Sequence, residues 1–250
     1  MEPSFVYHHV PKCGGTSFLC SLYQWFAVVA DYEDSFPDQE SYRKAAIDLA
    51  ALHANVLLAG HWNQPGYSID ERYPSLRSDS RFRIFTMLRD PLDLSKSLFY
   101  YTRKTRPDLA GTPGLKSLRA FIADTQNYLA VQLGCNAANY VKVLERYFFI
   151  GITEELDRSV ETFRMRLLGE LRSHANSPGS RRLAARLAAR PPVSGGRLNT
   201  AERDDQEAEI GAVEKERFRE RNALDYQIYD YVRLRLPQRP EDLIQCFFIP

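Results

Sequence analysis

A glycine turn near the start of the chain carries residue types that bind phosphate or sulfate groups. Residues 9–17 read HVPKCGGTS, with Lys12 two positions before the glycine pair. Two glycines let a backbone approach an anion closely, and the helical pattern starting at Thr16 adds the positive end of a helix dipole. The turn therefore predicts an anion cradle in which Thr16 and Ser17 cap the helix or bind an oxygen. The same pattern also fits an ordinary strand-to-helix turn.

An arginine after a second β-prone run offers a further anion contact. Residues 82–88 lead into Arg89, Asp90 and Pro91, and Ser97 follows eight residues after Arg89. Proline suits the first turn of a helix, which puts Ser97 nearly two turns along it. The guanidinium could bind a second phosphate through two N–H groups, with the serine hydroxyl as an added donor. An ion pair between Arg89 and a neighbouring carboxylate is the structural alternative.

A histidine after a third apolar run could act as a general base. His61 follows Gly60 and the apolar residues 55–59. Imidazole titrates near neutrality, which suits proton abstraction from a hydroxyl. A histidine satisfied within the core or at the surface is the alternative. His8 and His9 precede the glycine turn, and strand alternation puts only one of them on each face of a sheet.

Strands alternate with helices over most of the chain. The predicted strands are 4–9, 55–59, 82–88 and 146–150. The predicted helices are one from Thr16 onward, 38–53, 92–103, two or three within 115–146, and 154–168. This alternation predicts an α/β fold, a three-layer sandwich with a central parallel sheet flanked by helices. Ligands of such sheets bind beyond the carboxyl ends of the strands, where the glycine turn, His61 and Arg89 all fall.

Composition narrows the class of protein. The chain has 250 residues, of which 44% are hydrophobic and 26% charged, so collagen-like and wholly disordered classes are excluded. Thirty-three basic and 32 acidic residues leave a net charge of +1, which argues against a nucleic-acid partner. We expect one domain over residues 1–250. The length and composition do not fix the oligomeric state.

Two further expectations concern location and metals. The sequence has no apolar run of the roughly 18 residues that span a membrane, and no leader pattern, which predicts a soluble cytoplasmic protein without a transmembrane segment. No Cys-x-x-Cys pair or zinc-like spacing occurs among Cys13, Cys20, Cys135 and Cys246, so we expect neither a disulfide scaffold nor a metal site.

The segment 171–201 differs from the rest of the chain. It contains six arginines and no Asp or Glu, together with several Pro and Gly residues. This composition predicts a flexible basic loop that attracts an anionic acceptor, closes over a ligand or is only solvated. C-terminal helices are predicted within 202–236.

Together these clusters resemble the sulfotransferases that use 3′-phosphoadenosine 5′-phosphosulfate (PAPS). The resemblance rests on the stretches 9–17, 60–61, 85–91 with Ser97, 127–134 and 150–154. It is greatest to the Golgi-type carbohydrate branch, such as heparan sulfate 2-O-sulfotransferase, and to its bacterial homologues. It implies a P-loop-like sandwich and the transfer of a sulfuryl group to a hydroxyl of a glycan or small molecule. The membrane anchor of Golgi relatives is not present, which implies a soluble, bacterial-type enzyme.

The resemblance also assigns roles to individual residues. His61 matches the catalytic base. We expect Lys12 to stabilise the charge that develops on the bridging oxygen of the leaving group. The residues that match the loop around the 5′-phosphosulfate are Lys12, Cys13, Gly14, Gly15, Thr16 and Ser17. Arg89 and Ser97 match the 3′-phosphate site, and Arg197 and Asn199 match a loop that closes over the nucleotide. Cys13 departs from the Thr or Ser that many relatives have there.

Other functions fit parts of the sequence. A nucleotide kinase or another phosphoryl transferase could use the same kind of sheet, but the Gly-Lys-Ser/Thr order of a Walker A loop is missing. A non-catalytic nucleotide-binding protein and a module that binds polyanions through 171–201 are the alternatives from other classes.

Overall fold

A five-stranded, fully parallel sheet forms the centre of the protein. The structure, a computed structural model, describes residues 2–62, 68–190, 192 and 210–236. The strands are β1 (Ser4–His8), β2 (Ala27–Asp31), β3 (Val56–Gly60), β4 (Phe82–Leu88) and β5 (Phe149–Ile152). Their order across the sheet is β2-β3-β1-β4-β5, and each neighbouring pair is parallel.

Helices cover the sheet. Those in the described ranges are α1 (Gly15–Trp25), α2 (Gln39–Lys44), α3 (Ile69–Arg72), α4 (Pro91–Thr105), α5 (Leu118–Asp124), α6 (Tyr128–Leu133), α7 (Tyr140–Leu144), α8 (Leu156–Ser173), α9 (Pro178–Ala189), α10 (Ala212–Arg221) and α11 (Ala223–Arg235). None of them combines the length and the apolar character that crossing a membrane requires. The predicted α/β sandwich is confirmed.

Alternation along β1 divides the core between the two faces of the sheet. Phe5 and Tyr7 belong to the cluster that includes Phe18 of α1 and Phe163 of α8. Val6 belongs instead to a second cluster, packed by residues of the segment 52–82. Because successive side chains of a strand point to opposite faces, one five-residue strand anchors both layers. The carboxyl end of β1, where the candidate site lies, is therefore packed on both faces of the sheet.

Three local predictions need correction. The helix predicted over 38–53 is only α2, because the Ile47 N–H donates to the Tyr73 hydroxyl and Asp48 caps a separate 3₁₀ turn over Leu49–Ala51. Strand β2 was not predicted, since its apolar residues follow α1 directly and continue the hydrophobic run of that helix. The fourth predicted strand lies at Phe149–Ile152 rather than 146–150.

The flexible loop predicted over 171–201 is wrong as far as residue 189. α8 continues to Ser173, and α9 begins at Pro178 with the Ser177 side chain as its cap. Leu183 and Leu187, four residues apart, are fully buried against the core. The arginine-rich composition concealed this short apolar stripe, which is what docks the helix. Residues 191 and 193–201 lie outside the described part of the chain.

Candidate functional site

Sheet register brings three separate segments to one edge. His8, at the end of β1, is paired with Gly60 of β3 on one side and with Thr86 of β4 on the other. The glycine turn, His61 and Arg89 follow directly after these strands. Residues far apart in the sequence therefore surround one crevice at the carboxyl edge of the sheet.

The glycine turn has the backbone shape of an anion cradle. Lys12 and Gly14 both have positive φ, 64° and 70°, on either side of Cys13. When residues of right-handed and left-handed backbone conformation alternate, their successive N–H groups point toward one place. Helix α1 begins at Gly15, and its N-cap, Gly14, has no side chain with which to cap it. The first N–H groups of α1 are therefore available to a ligand.

Both glycines are required by close contacts. A Cβ on Gly14 would lie 2.9 Å from Cγ2 of Thr153. The Thr153 side chain is held in place, because its hydroxyl donates to the Leu88 carbonyl at 2.8 Å. A Cβ on Gly15 would lie 1.8 Å from Nε2 of His9. No side chain larger than hydrogen fits at Gly15 while the His9 ring keeps its place.

The Cys13 side chain packs in the core instead of facing the crevice. It is fully buried, and burial raises the pKa of its thiol well above the usual value. The Cys13 N–H points back to the Val10 carbonyl at 3.4 Å. The residue therefore shapes the turn. Among its neighbours, Thr16 is exposed and Ser17 is half-buried.

Three cations meet at the mouth of the turn. Burial lowers the pKa of Lys12, and the charges of Arg89 and Lys104 lower it further. Within the described ranges none of the three has a carboxylate partner. The Lys12 ammonium instead lies over the Tyr101 ring, 4.2 Å from its centroid. Cations that act on one another without a carboxylate partner repel each other and attract an anion.

Arg89 is held toward the turn and is incompletely satisfied. Its Nη1 donates to the Lys12 carbonyl at 3.4 Å, whereas its buried Nε has no partner in the described part of the chain. Arg89 does not form the alternative ion pair with Asp90. The Asp90 carboxylate instead accepts hydrogen bonds from the N–H groups of Leu92 and Asp93 at the start of α4. Ser97 lies half-buried in the second turn of α4.

His61 lies next to His9 at the other side of the crevice. Its Nε2 is 3.2 Å from Nδ1 of His9, and that same Nδ1 is 3.0 Å from the Tyr32 hydroxyl. Burial lowers the pKa of His61 to about 4, and the charge of Asp34 opposes this shift. The imidazole is therefore neutral at pH 7 and has a lone pair to accept a proton.

A buried ion pair supports the segment around His61. The fully buried Asp31 accepts hydrogen bonds from Trp62 Nε1 at 2.9 Å, from the Tyr73 hydroxyl at 2.7 Å and from Arg72. Nε and Nη2 of Arg72 each donate to one carboxylate oxygen at 2.7 Å, so the pair is bidentate. A carboxylate saturated in this way fixes the residue that follows His61.

The geometry adds residues that the sequence did not identify. Lys104, Tyr32 and Asp31 carried no recognisable signal, because each is linked to Lys12, His9 or Trp62 through tertiary contacts alone. Tyr101 was one of several aromatic residues that could line an acceptor pocket, and it lies under the Lys12 ammonium. The pair His8-His9 did carry one, and His9 is the member on the crevice side. Arg197 and Asn199, the predicted closing loop, lie outside the described residues.

The sequence and the structure were also compared with known proteins. No protein-family model and no curated protein matches the sequence. The fold is similar to that of mouse sulfotransferase SULT7A1 complexed with PAP, with 13% identity, a TM-score of 0.50, and 92% of this chain and 90% of that chain covered. A sulfotransferase from Alicyclobacillus acidocaldarius also matches, with 15% identity, a TM-score of 0.37, and 88% and 95% coverage. The likeness to the mouse protein shows that the chain has the sulfotransferase fold.

Proposed function

We propose that this protein transfers a sulfuryl group from PAPS to an acceptor hydroxyl. The observation that carries the proposal is the cluster of Lys12, Arg89 and Lys104, none of which forms an ion pair with a carboxylate of the described residues. The cluster lies beside the uncapped start of α1 and the neutral imidazole of His61. The PAP in the mouse structure of the same fold supports the same nucleotide here.

The residues fit the two anionic ends of the donor. The N–H groups after Gly14 and the Lys12 ammonium would hold the 5′-phosphosulfate. Arg89 and Ser97 would hold the 3′-phosphate, which supplies the acceptor that the buried Nε of Arg89 does not find among the described residues. Lys104 adds charge at the mouth of the same site.

The bound donor supplies an activated sulfuryl group with adenosine 3′,5′-bisphosphate (PAP) as its leaving group. His61 takes the proton as the acceptor O–H bond breaks and the acceptor oxygen forms a bond to sulfur. The bond between sulfur and the bridging oxygen breaks at the same time. Lys12 stabilises the negative charge that develops on that oxygen. This transfer needs positioning and charge stabilisation from the protein.

The acceptor is a hydroxyl of a glycan or a small molecule, in keeping with the resemblance to the carbohydrate branch. Helix α9 lies away from this site, because Arg186 and the C-cap residue Arg190 contact carbonyls of Trp25 and Gln24 at the far end of α1. Its charge is therefore not the feature that would select an acceptor.

Calorimetric titration of the purified protein with PAP tests the donor site. We expect binding without magnesium, and Arg89→Ala should weaken it by about tenfold or more, the usual effect of losing charged hydrogen bonds. Arg103→Ala is the matched control, since Arg103 lies on α4 over the Phe99 ring and should leave binding unchanged. Binding of ATP with magnesium but not of PAP would instead indicate a phosphoryl transferase.

Turnover of labelled PAPS against a panel of sugars, phenols and aliphatic alcohols tests the chemistry. We expect His61→Ala and Lys12→Ala each to lower kcat by about a hundredfold or more. PAP affinity should persist in His61→Ala, which separates the base from the binding site. Near-normal turnover in that variant would refute the assignment of His61.

A further inference from the structure

His9 contacts both parts of the proposed site, the base His61 and the start of the anion cradle. Its ring lies in T-shaped contact with His61, with centroids 4.4 Å apart, and stacks on Tyr7 at 5.2 Å. Its Nε2 faces Gly15, the first residue of α1. Its backbone N–H donates to the Gly60 carbonyl at 3.0 Å, directly before His61. The ring is therefore fixed on several sides.

Two polar groups, the Tyr32 hydroxyl and Nε2 of His61, converge on Nδ1 of this ring. Burial raises the pKa of Tyr32 above its usual range, so the phenol keeps its proton and can donate to Nδ1 of His9 at 3.0 Å. Nε2 of His61 lies 3.2 Å from the same Nδ1. If Nδ1 is the acceptor in both contacts, His9 carries its proton on Nε2 and His61 must carry one on its own Nε2.

That arrangement leaves the other ring nitrogen of His61 as the base. A neutral imidazole has one N–H and one lone pair. With the proton of His61 on Nε2, its lone pair is on Nδ1 and is not engaged by His9. The opposite tautomer would direct the only lone pair of His61 at His9, where it could not receive a proton from an acceptor.

We propose that His9 is a positioning residue, whose Nδ1 accepts the Nε2–H of His61 and so presents the Nδ1 lone pair of His61 to the acceptor hydroxyl. This inference rests on the proposed function. As the acceptor O–H bond breaks, its proton joins Nδ1 of His61, and the Nε2–H of the resulting imidazolium remains bonded to His9. Burial, with the charges of His61, His8 and Lys12, lowers the pKa of His9 to about 3, so His9 stays neutral throughout.

The tautomer is directly measurable. The chain has five histidines, so selective ¹⁵N-histidine labelling of the full-length protein gives a simple spectrum, with His61 assigned by its loss in His61→Gln. At pH 7 we expect the signals of His61 to show a protonated Nε2 and a bare Nδ1, both in the free protein and with PAP. In His9→Phe the two tautomers of His61 should interconvert, as in the exposed His53, which serves as the internal reference. A wild-type His61 protonated on Nδ1 would overturn the proposal.

Kinetics provide the second measurement. His9→Phe keeps a ring but no nitrogen, and we expect kcat to fall ten- to a hundredfold with KM and PAP affinity little changed. His9→Asn places a carbonyl oxygen where Nδ1 lies and should recover most of kcat. Equal kcat in the two variants would count against the proposal. Absence of PAP binding and turnover in the wild type would refute the proposed function, whereas normal binding and turnover with the wrong tautomer would refute only the role of His9.

Discussion

Lys12, Arg89 and Lys104 keep their charges close together without a carboxylate among the described residues. Lys12 also has a left-handed backbone conformation, which costs about 1–2 kcal/mol for a side chain of this kind. A fold tolerates such charge repulsion and backbone strain where its other contacts hold the residues in place. An anion that enters the crevice removes the repulsion, so binding should also raise the stability of the fold.

Lys104 gives a prediction at this scale. It is exposed, so its contribution to anion binding is long-range and screened by salt. Lys104→Ala should weaken PAP binding by about three- to tenfold at low ionic strength, and the loss should shrink as salt is added. Titration calorimetry at two salt concentrations measures this.

Lys96→Ala is the matched control on the same helix. Lys96 pairs with Asp93 at 3.2 Å, away from the cation cluster. Its removal should leave PAP binding unchanged. Equal effects of the two substitutions would mean that the general charge of α4, and not the place of Lys104, attracts the nucleotide.

At the scale of elements, α9 acts as a clamp on α1. Arg186 donates to the Trp25 carbonyl at 3.1 Å and Arg190 to the Gln24 carbonyl at 3.1 Å, while Trp25 Nε1 donates back to the Arg190 carbonyl at 2.9 Å. Cations at a helix C-terminus satisfy its free carbonyls and its negative dipole end. Since α1 runs from the cradle to this clamp, α9 holds the cradle indirectly.

Arg186→Ala should therefore lower the free energy of unfolding by about 1–2 kcal/mol without changing PAP affinity. Arg182→Ala, an exposed position on the same helix, should change neither quantity. Denaturant unfolding and PAP titration of both variants make the comparison. Loss of PAP affinity in Arg186→Ala at temperatures where the variant is folded would contradict a purely structural role.

Most elements could be predicted from the sequence, because their signals are local. Strand β4 is bounded by the residues that the pattern predicted, and Pro91 marks the start of α4. Elements set by tertiary contacts could not be predicted. β2 is defined by pairing with β3, and α2 ends early because Tyr73 captures the Ile47 N–H. In the candidate site, Lys12 and Arg89 could be identified from local motifs. The contact between His9 and His61 could not, because it depends on the pairing of β1 with β3.

At the scale of the whole molecule, three histidines make the fold sensitive to acid. Burial lowers the pKa of His8 and His61 to about 4 and that of His9 to about 3, from 6.5. The unfolded chain therefore binds more protons than the folded protein between pH 6.5 and about 4. The contribution of these histidines to stability is full well above pH 6.5 and is lost as the pH falls through this window. Asp225 opposes the trend, because burial raises its pKa to about 6.

Denaturant unfolding across a pH series tests this expectation. The free energy of unfolding should be nearly constant from pH 8 to about 7.5 and should fall increasingly steeply below that, by at most about 4 kcal/mol per pH unit if all three histidines contribute. His61→Gln should make the decline shallower. A flat profile down to pH 4.5 would mean that these histidines protonate in the folded state near their ordinary pKa.

The contact between His9 and Gly15 also constrains how this sequence can vary. No side chain at position 15 coexists with an imidazole at position 9, since the two would overlap at 1.8 Å. The two positions should therefore change together among relatives: a larger residue at 15 should accompany a smaller one at 9. An alignment of homologues could reveal this coupling as covariation, independently of any assay.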